Sequence, residues 1–553
     1  MEGGGATAVR LRSALRRLRR PAPSPWAEIV AQPIPERLEE ASGRRVLLAT
    51  GVGGHPIAPL LDGLVGSALW LRGADVSFLL CDAALPACEM CQYISFPQPA
   101  EFVRHGPQRR LCEPCFDRGR TLLEPLPPSF HRYRDVAPAG VYREAMRSAA
   151  GMTLEECFEF EDDGLHLGEQ ARAGAIRFFG KADLGTEPPE LVLAVARRYA
   201  AGACAAASIL RAALERLEPD VVVAHHGVYV PQGVLGEVAR RLGVRVVNWG
   251  TSYRDRTVIY SHGDTYHRTL LDEPVSSWEN RRLLDEEERE LLEFLASRRR
   301  GDGDWVWVTP ESALRRVEQE RAQLEAEVGL DPSRPAVGLL TNVLWDAQLY
   351  YEGHAFRDML EWLTFTIDHF AARPDRQLLI RVHPHEVKHG NRQPVEPELR
   401  ARYPALPENV RVIGYDSPLN TYALMNLCRS VLIYGTKTGV ELTPLGQPVI
   451  VAADAWIRGK GLTLDATTKE EYAALLELAP WLEPLDDETV DRARRYAYHY
   501  FFRRMIPLSS FEPDSQEVTL SIRSLADLLP QRDAGLDTIC AGILDGREFV
   551  FDV

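Results

Sequence analysis

Short unbroken apolar runs alternate along this chain with longer stretches in which apolar residues recur every three or four positions. Residues 44–50 (RRVLLAT) are such a run, and an apolar stretch of that length predicts a strand buried on both faces. A Gly-rich turn, GVGGHP, follows; then comes a helical stretch, IAPLLDGLVGSALWLRG, and a second strand over 75–80. Strand, Gly-rich turn, helix and strand open a doubly wound sheet. The pattern resumes with an Ala-rich helix over 191–217, a strand over 220–227 ending in two histidines, the helix GVLGEVARRLG and a strand over 244–250. A charged helix over 280–300 approaches a boundary, and from Pro335 the alternation restarts. PAVGLLTNV, RQLLIRVHPHE, NVRVIGY, SVLIYG and QPVIVAA read as strands, and RDMLEWLTFTIDHFAAR, NTYALMNLC and TGVELTPLG as helices.

The predicted fold class is therefore α/β: two doubly wound Rossmann-like domains facing a cleft. The expected divisions are a basic, Pro-rich tail over 1–43, a first Rossmann-like domain over 44–310, a second over 311–485, and a helical return and tail over 486–553 that crosses back to the first domain. Ligands bind such sheets at the carboxyl ends of the strands. Polar residues gather at those predicted ends, at 51–55, 225–227, 381–385 and 434–441, which points to one site between the domains.

Composition narrows the classes of function. A chain of 553 residues with 45% apolar content has the length and the core of two large domains. A net charge of -15 argues against a surface tuned for nucleic acid, and no nucleic-acid partner is expected. No run of about 18 or more uncharged apolar residues predicts a membrane-spanning helix. The opening, VRLRSALRRLRRPAPSP, lacks the apolar centre of a signal peptide. Its six arginines either lie on an anionic membrane surface or form a tail that is broken by Pro21, Pro23 and Pro25.

Four of the nine cysteines form two CxxC pairs, Cys88 with Cys91 and Cys112 with Cys115, separated by residues 92–111. That spacing predicts a four-thiolate structural zinc site, a zinc-knuckle-like insertion near 86–118 stapling a segment with little core of its own. Two disulfides or reduced thiols are the alternatives, and the lack of a secretory signal disfavours the first. Cys81, Cys157, Cys204, Cys428 and Cys540 read as buried thiols.

The stretch YGTKTGVELTPLGQPVIVAA places Thr436, Lys437, Thr438 and Gly439 between a strand and a helix start, with Glu441 one turn on. Helix amides and threonine hydroxyls can receive phosphate oxygens, Lys437 adds a point charge, and Glu441 suits ribose or sugar hydroxyls. A plain capping box, Thr438 with Glu441, is the other reading. The loop is not a GxxxxGK[ST] phosphate loop. In RVHPHE, Arg381 and His383 share one parity of the strand end, Pro384 fixes the turn, and the pair suits a diphosphate or a carboxylated sugar; a hydrogen bond from His383 to a neighbouring loop is the structural alternative.

RVHPHE, YGTKTGVELTPLGQPVIV and WIRGKG together resemble the GT-B glycosyltransferases of the capsule and surface polysaccharide biosynthesis group, the Kdo-transferase-like enzymes. DDGLHLGEQARAGAIRFF and the stretch from VVVAHHG to VVNWG carry a weaker likeness, and the double CxxC departs from the family pattern. The resemblance implies that His383 and Pro384 form the HP element, and that Thr436, Thr438 and Glu441 hold the nucleotide-sugar donor. It implies that the first domain binds the acceptor and supplies the base. GVGGH is similar to the Gly-rich loop of many GT-B first domains, and EDDG resembles the motif that carries the base in bacterial GT-B sialyltransferases. The candidate bases are Asp163, His55, and the pair His225 and His226. Arg254, His262, Asp264, Tyr266 and His267 are placed near the acceptor.

The reaction this implies is transfer of a glycosyl unit from a nucleotide-activated donor to a glycan or lipid-linked acceptor, without a catalytic metal. A CMP-linked keto-sugar is favoured as donor, with UDP, GDP and dTDP sugars open. The expected location is cytoplasmic, with the inner face of the membrane as an open alternative. The alternatives are a UDP-sugar 2-epimerase on the same architecture and a noncatalytic carbohydrate-binding or assembly protein; a zinc-ribbon nucleic-acid binder has little support.

Overall fold

The computed structural model describes residues 24–300, 321–345, 354–384, 386, 390–512 and 518–552. The strands are β1 (Arg45–Gly51), β2 (Asp75–Leu80), β3 (Ser129–Arg132), β4 (Val221–His225), β5 (Arg245–Thr251), β6 (Thr257–His262), β7 (Ala336–Leu340), β8 (Gln377–Arg381), β9 (Val410–Ile413), β10 (Ser430–Ile433), β11 (Val449–Val451), β12 (Leu464–Asp465) and β13 (Ile506–Pro507). The helices used below are α1 (Ala58–Leu71), α2 (Glu113–Leu123), α3 (Leu167–Phe179), α4 (Pro189–Leu217), α5 (Gln232–Arg241), α6 (Asp285–Arg300), α7 (Met359–Ala371), α8 (Thr438–Leu442), α9 (Asp487–Tyr498) and α10 (Ala534–Asp545).

The first sheet has the order β13-β6-β5-β4-β1-β2-β3 and the second β12-β11-β10-β7-β8-β9. The second is parallel throughout, and so is the first from β3 to β5. Both follow the doubly wound order in which the first strand is central and the fourth lies on its other side. The apolar runs explain why. In β1, Val46 and Leu48 pack toward α1 and α10, while Leu47 and Ala49 pack toward α3 and α4. In β7, Val337 and Leu339 meet α7, while Ala336 and Leu340 join the core that holds Tyr496 of α9. Each fully buried leucine or valine stabilises by about 1.5–3 kcal/mol, so both parities of these strands are driven inward.

Three features differ from the sequence reading. The segment expected as an acceptor-side loop contains β6, which pairs antiparallel with β5 and turns 251–262 into a hairpin. The Pro-rich stretch after the second CxxC supplies the edge strand β3. The insertion does have a core: Phe96 and Phe102 are fully buried, and Phe102 lies 4.7 Å from Phe178 of α3 and 6.1 Å from Tyr199 of α4, centroid to centroid. Aromatic packing therefore contributes to holding this segment.

The 29-residue α4 is long and apolar enough to cross a membrane by length and composition, but 72% of its apolar window is buried in the first domain. After the second sheet, α9 packs beside α6, the chain returns to add β13 antiparallel to β6, and α10 lies on α1. Residues 1–23, with the Arg-rich opening, lie outside the described residues.

Candidate functional site

Strand order reverses between β1 and β4 in the first sheet and between β7 and β10 in the second. A doubly wound sheet opens a crevice at such a switch point. At the first, the turn after β1 carries His55 and the end of β4 carries His225 and His226. The His55 and His225 rings lie 4.2 Å apart, His225 and His226 5.5 Å, and His226 and His267 5.1 Å. Three of the four candidate bases are thus brought together, with His267 joining them.

The backbone under the histidines is held in an uncommon conformation. His226, Gly227 and Tyr229 have φ of +63°, +74° and +71°. A Cβ on Gly227 would lie 2.8 Å from the Asn248 side chain. The Thr265 hydroxyl donates to the His226 carbonyl (2.8 Å) and accepts from the His267 amide (3.4 Å), and the Tyr229 amide donates to Gln170 Oε1 (2.8 Å). Left-handed non-glycine residues persist only where their surroundings over-determine them, and they concentrate at functional sites.

Burial holds all four imidazoles uncharged. It lowers His225 and His226 well below the usual histidine range and brings His267 to about 4; His55 is also lowered to about 4, by burial and then by Arg177 and Arg118. Arg177, near the end of α3, spans the seam: its guanidinium lies 5.0 Å from the Tyr229 ring and 5.9 Å from that of Trp345, which follows β7 in the second domain. Glu89, between Cys88 and Cys91, is 4% exposed; its carboxylate accepts from Gln232 Nε2 (3.0 Å), and burial pushes it up to about 7 against the pull of Arg177. Among the described residues, buried polar atoms without a hydrogen-bond partner occur at both switch points: His225 Nδ1, His226 Nδ1, His267 Nε2 and Gln232 Oε1 in the first domain, Asn342 Oδ1 and Trp345 Nε1 in the second. Native proteins rarely leave such groups unpaired, and a cluster of them calls for a polar ligand or water. Rings of Tyr229, Tyr266 and Trp456 complete the wall, and Trp456 Nε1 donates to the His267 carbonyl (3.3 Å).

At the second switch point, Asn342 Nδ2 donates to the Gly435 carbonyl (2.9 Å) and ties the ends of β7 and β10. The Thr436 and Thr438 hydroxyls lie 3.0 Å apart, and Thr436 Oγ1 accepts from the Thr438 amide (3.3 Å), so Thr436 rather than Thr438 takes the capping contact. Gly439 is buried against Ile433 and Ile457. Glu441 is fully buried, bonded to Lys437, to Arg298 (3.3 Å) and to the Tyr422 hydroxyl (2.7 Å). Although burial opposes it, Lys437 and Arg298 hold this carboxyl below the ordinary range. Lys437 and Glu441, expected to meet phosphate and sugar hydroxyls, are thus paired with each other. Arg381 is likewise committed, donating to the carbonyls of Gly414 and Ser417 and so tying the loop after β9 to β8. The His383 amide donates to Thr341 Oγ1 (3.0 Å) beside the end of β7, with Pro384 next in a half-buried turn; His385 lies outside the described residues.

Asp163 stands apart from the cluster. It is exposed in a turn and paired with Arg211 (2.9 Å) and Arg241 (3.5 Å), which lower its pKa. Arg241 ends α5, whose first residue, Gln232, is at the switch point; at 1.5 Å rise per residue Asp163 lies beside the opposite end of that helix, roughly a dozen ångströms away. The thiols also depart from expectation. Cys88 and Cys91 bring their sulfurs to 4.0 Å and Cys115 Sγ accepts from the Gly54 amide (3.1 Å), but among the described residues no three His, Cys, Asp or Glu side chains are grouped to hold a metal ion. Burial, with the Cys91 contact first for Cys88, raises the thiols of Cys88, Cys112 and Cys115.

Arg177, Glu89, Gln232, Asn342 and Trp345 were not singled out in the sequence. An arginine on an amphipathic helix and a glutamate inside CxxC give no local signal; only the packing of α3 and the insertion against β4 turns them to one place.

No family model matches the chain, and no curated protein matches it significantly. Solved structures similar to it include KpsC, beta Kdo 2,4 transferase, of Thermosulfurimonas dismutans, at 14% identity over 56% of this chain and 87% of that one, with a TM-score of 0.34. UDP-GlcNAc 2-epimerase of Neisseria meningitidis bound to UDP-GlcNAc is similar at 11% identity over 82% and 95%, TM-score 0.23. The glycosyltransferase SnogD of Streptomyces nogalater is similar at 15% over 82% and 95%, TM-score 0.22. Superpositions this loose pass no residue role to this chain.

Proposed function

We propose that this chain is a nucleotide-sugar-dependent glycosyltransferase working in the seam between its two Rossmann-like domains. The observation that carries the reading is the set of unpartnered buried polar atoms on both walls, where two switch points meet. Uncharged imidazoles, amides and an indole N–H offer donors and acceptors together, which suits the hydroxyls of a sugar. The aromatic rings suit its faces, and Arg177 suits an anionic group. On this reading Thr436, Thr438 and His383 hold the donor on the second domain, and the acceptor, a glycan or a lipid-linked glycan, enters beside His225, His226 and His267. A CMP-linked keto-sugar as donor, surface polysaccharide as product and a cytoplasmic location at the membrane belong to the same proposal and rest on the motif resemblance.

Thermal shift against CMP, UDP, GDP and dTDP and their sugars tests it, followed by product analysis with and without acceptor. Stabilisation by one nucleotide and product only with acceptor is the expected result. Turnover of a UDP-sugar without acceptor identifies the epimerase instead, and no shift at millimolar ligand removes the sugar-nucleotide reading.

A further inference from the structure

His55 is held differently from the other three histidines. Its Nδ1 accepts from the amides of Ile57 (3.3 Å) and Ala58 (3.1 Å) at the start of the 14-residue α1. A ring nitrogen that accepts carries no proton, so on the neutral ring the proton sits on Nε2. Protonating Nδ1 would aim an N–H at two amide hydrogens and at the positive end of α1. Nε2 bonds to no described residue, the ring is half-buried, its neighbour is the His225 ring at 4.2 Å, and the charges of Arg177 and Arg118 act on it. An uncharged N–H beside guanidinium groups at a switch point is a donor set for a negatively charged oxygen.

We propose that His55 presents its Nε2–H as an uncharged hydrogen-bond donor to an anionic oxygen of the bound sugar nucleotide, alongside Arg177, and is not the proton acceptor. The inference rests on the sugar-nucleotide reading above. No proton leaves the ring; the hydrogen bond strengthens as negative charge builds on the oxygen. Of the candidate bases at the switch point, this leaves His225 and His226, whose Nδ1 atoms are buried without a partner among the described residues.

Two measurements on the full chain test it. In protein labelled with 15N-histidine, with the His55 signals identified by their loss in His55→Asn, the ring should show the Nε2–H tautomer, unchanged from about pH 6 to 8. An Nδ1–H tautomer, or a ring that titrates there, overturns the proposal. The second measurement is turnover of CMP-, UDP-, GDP- and dTDP-linked sugars. Asparagine places an acceptor where Nδ1 stands and keeps the helix start; glutamine reaches the position of Nε2 with an N–H. His55→Asn should keep its Tm and lose roughly 100-fold in kcat, and His55→Gln should retain about tenfold more activity than His55→Asn. Full activity in His55→Asn overturns the assignment while leaving the glycosyltransferase reading intact. A wild type that turns over none of these sugars overturns both.

Discussion

Glu441 occupies the place where a carboxylate can meet a sugar, one turn past a strand end, yet Lys437, Arg298 and Tyr422 enclose it. Glu441→Ala removes the buried carboxylate that Lys437, Arg298 and Tyr422 share and should destabilise the fold by about 3–5 kcal/mol in denaturant titration. Because the folded pKa is depressed, the stability that Glu441 contributes is present above the unfolded value of 4.5 and is lost as pH falls through the lower folded value. Asp62 runs the other way. Buried in α1, it accepts from Thr50 Oγ1 (2.7 Å) and Trp249 Nε1 (2.9 Å), and burial raises it to about 7. The folded state then binds the extra proton, so stability falls as pH rises from 3.8 toward 7. Asp62→Asn should fold and flatten that slope, measured as Cm against pH; an unchanged slope would show that Asp62 is ionised. For the donor side, His383→Ala should weaken sugar-nucleotide binding or turnover by about tenfold, ~1.4 kcal/mol, and unchanged kinetics in a folded variant would remove the site assignment.

At the scale of elements, the Gly-rich turn after β1 illustrates what a motif leaves open. Gly51 has φ of +68° and needs glycine for its conformation. Gly53 needs it for space: a Cβ there would lie 2.3 Å from the Cys115 carbonyl and 2.8 Å from Gly119 Cα, because α2 crosses the turn backbone to backbone. Gly53 and Gly54 face the insertion, against Cys115, Gly119 and Met90. Gly53→Ala should lower stability by about 1–3 kcal/mol, since a main chain cannot turn aside as a side chain can. Gly151→Ala is the control, with nothing within 4 Å of the added Cβ. The central strands were legible because a strand buried on both faces must be apolar at both parities. The hairpin β5–β6 was obscured because β6 carries polar residues, Thr257 and Ser261, that are buried in the fold.

The whole molecule closes on itself at the seam. Arg392 donates its amide to the Gly180 carbonyl (2.9 Å), Gln393 accepts from the amides of Ala182 and Asp183, and Glu273 of the first half meets His499 (3.1 Å) and Arg504 (3.5 Å) of the return. A ligand bound between the walls contacts both domains at once. At a hundred times its Kd such a ligand adds about 2.7 kcal/mol, so the correct nucleotide sugar should raise the Tm as one transition. A shift confined to one of two transitions would place the ligand on a single domain.

The sequence by itself determined the α/β class, the doubly wound alternation and the histidines at the end of β4, because each depends on periodicity or on residues adjacent along the chain. Tertiary structure alone decided which of the polar strand ends are committed. Arg381 is tied to the carbonyls of Gly414 and Ser417, Glu441 is paired with Arg298 as well as with Lys437, and Asp163 is paired with Arg211 and Arg241. It also brought Arg177, Glu89, Trp345 and His267 to the switch points. Charge pairing and burial are properties of neighbours in space, and no spacing along the chain records them.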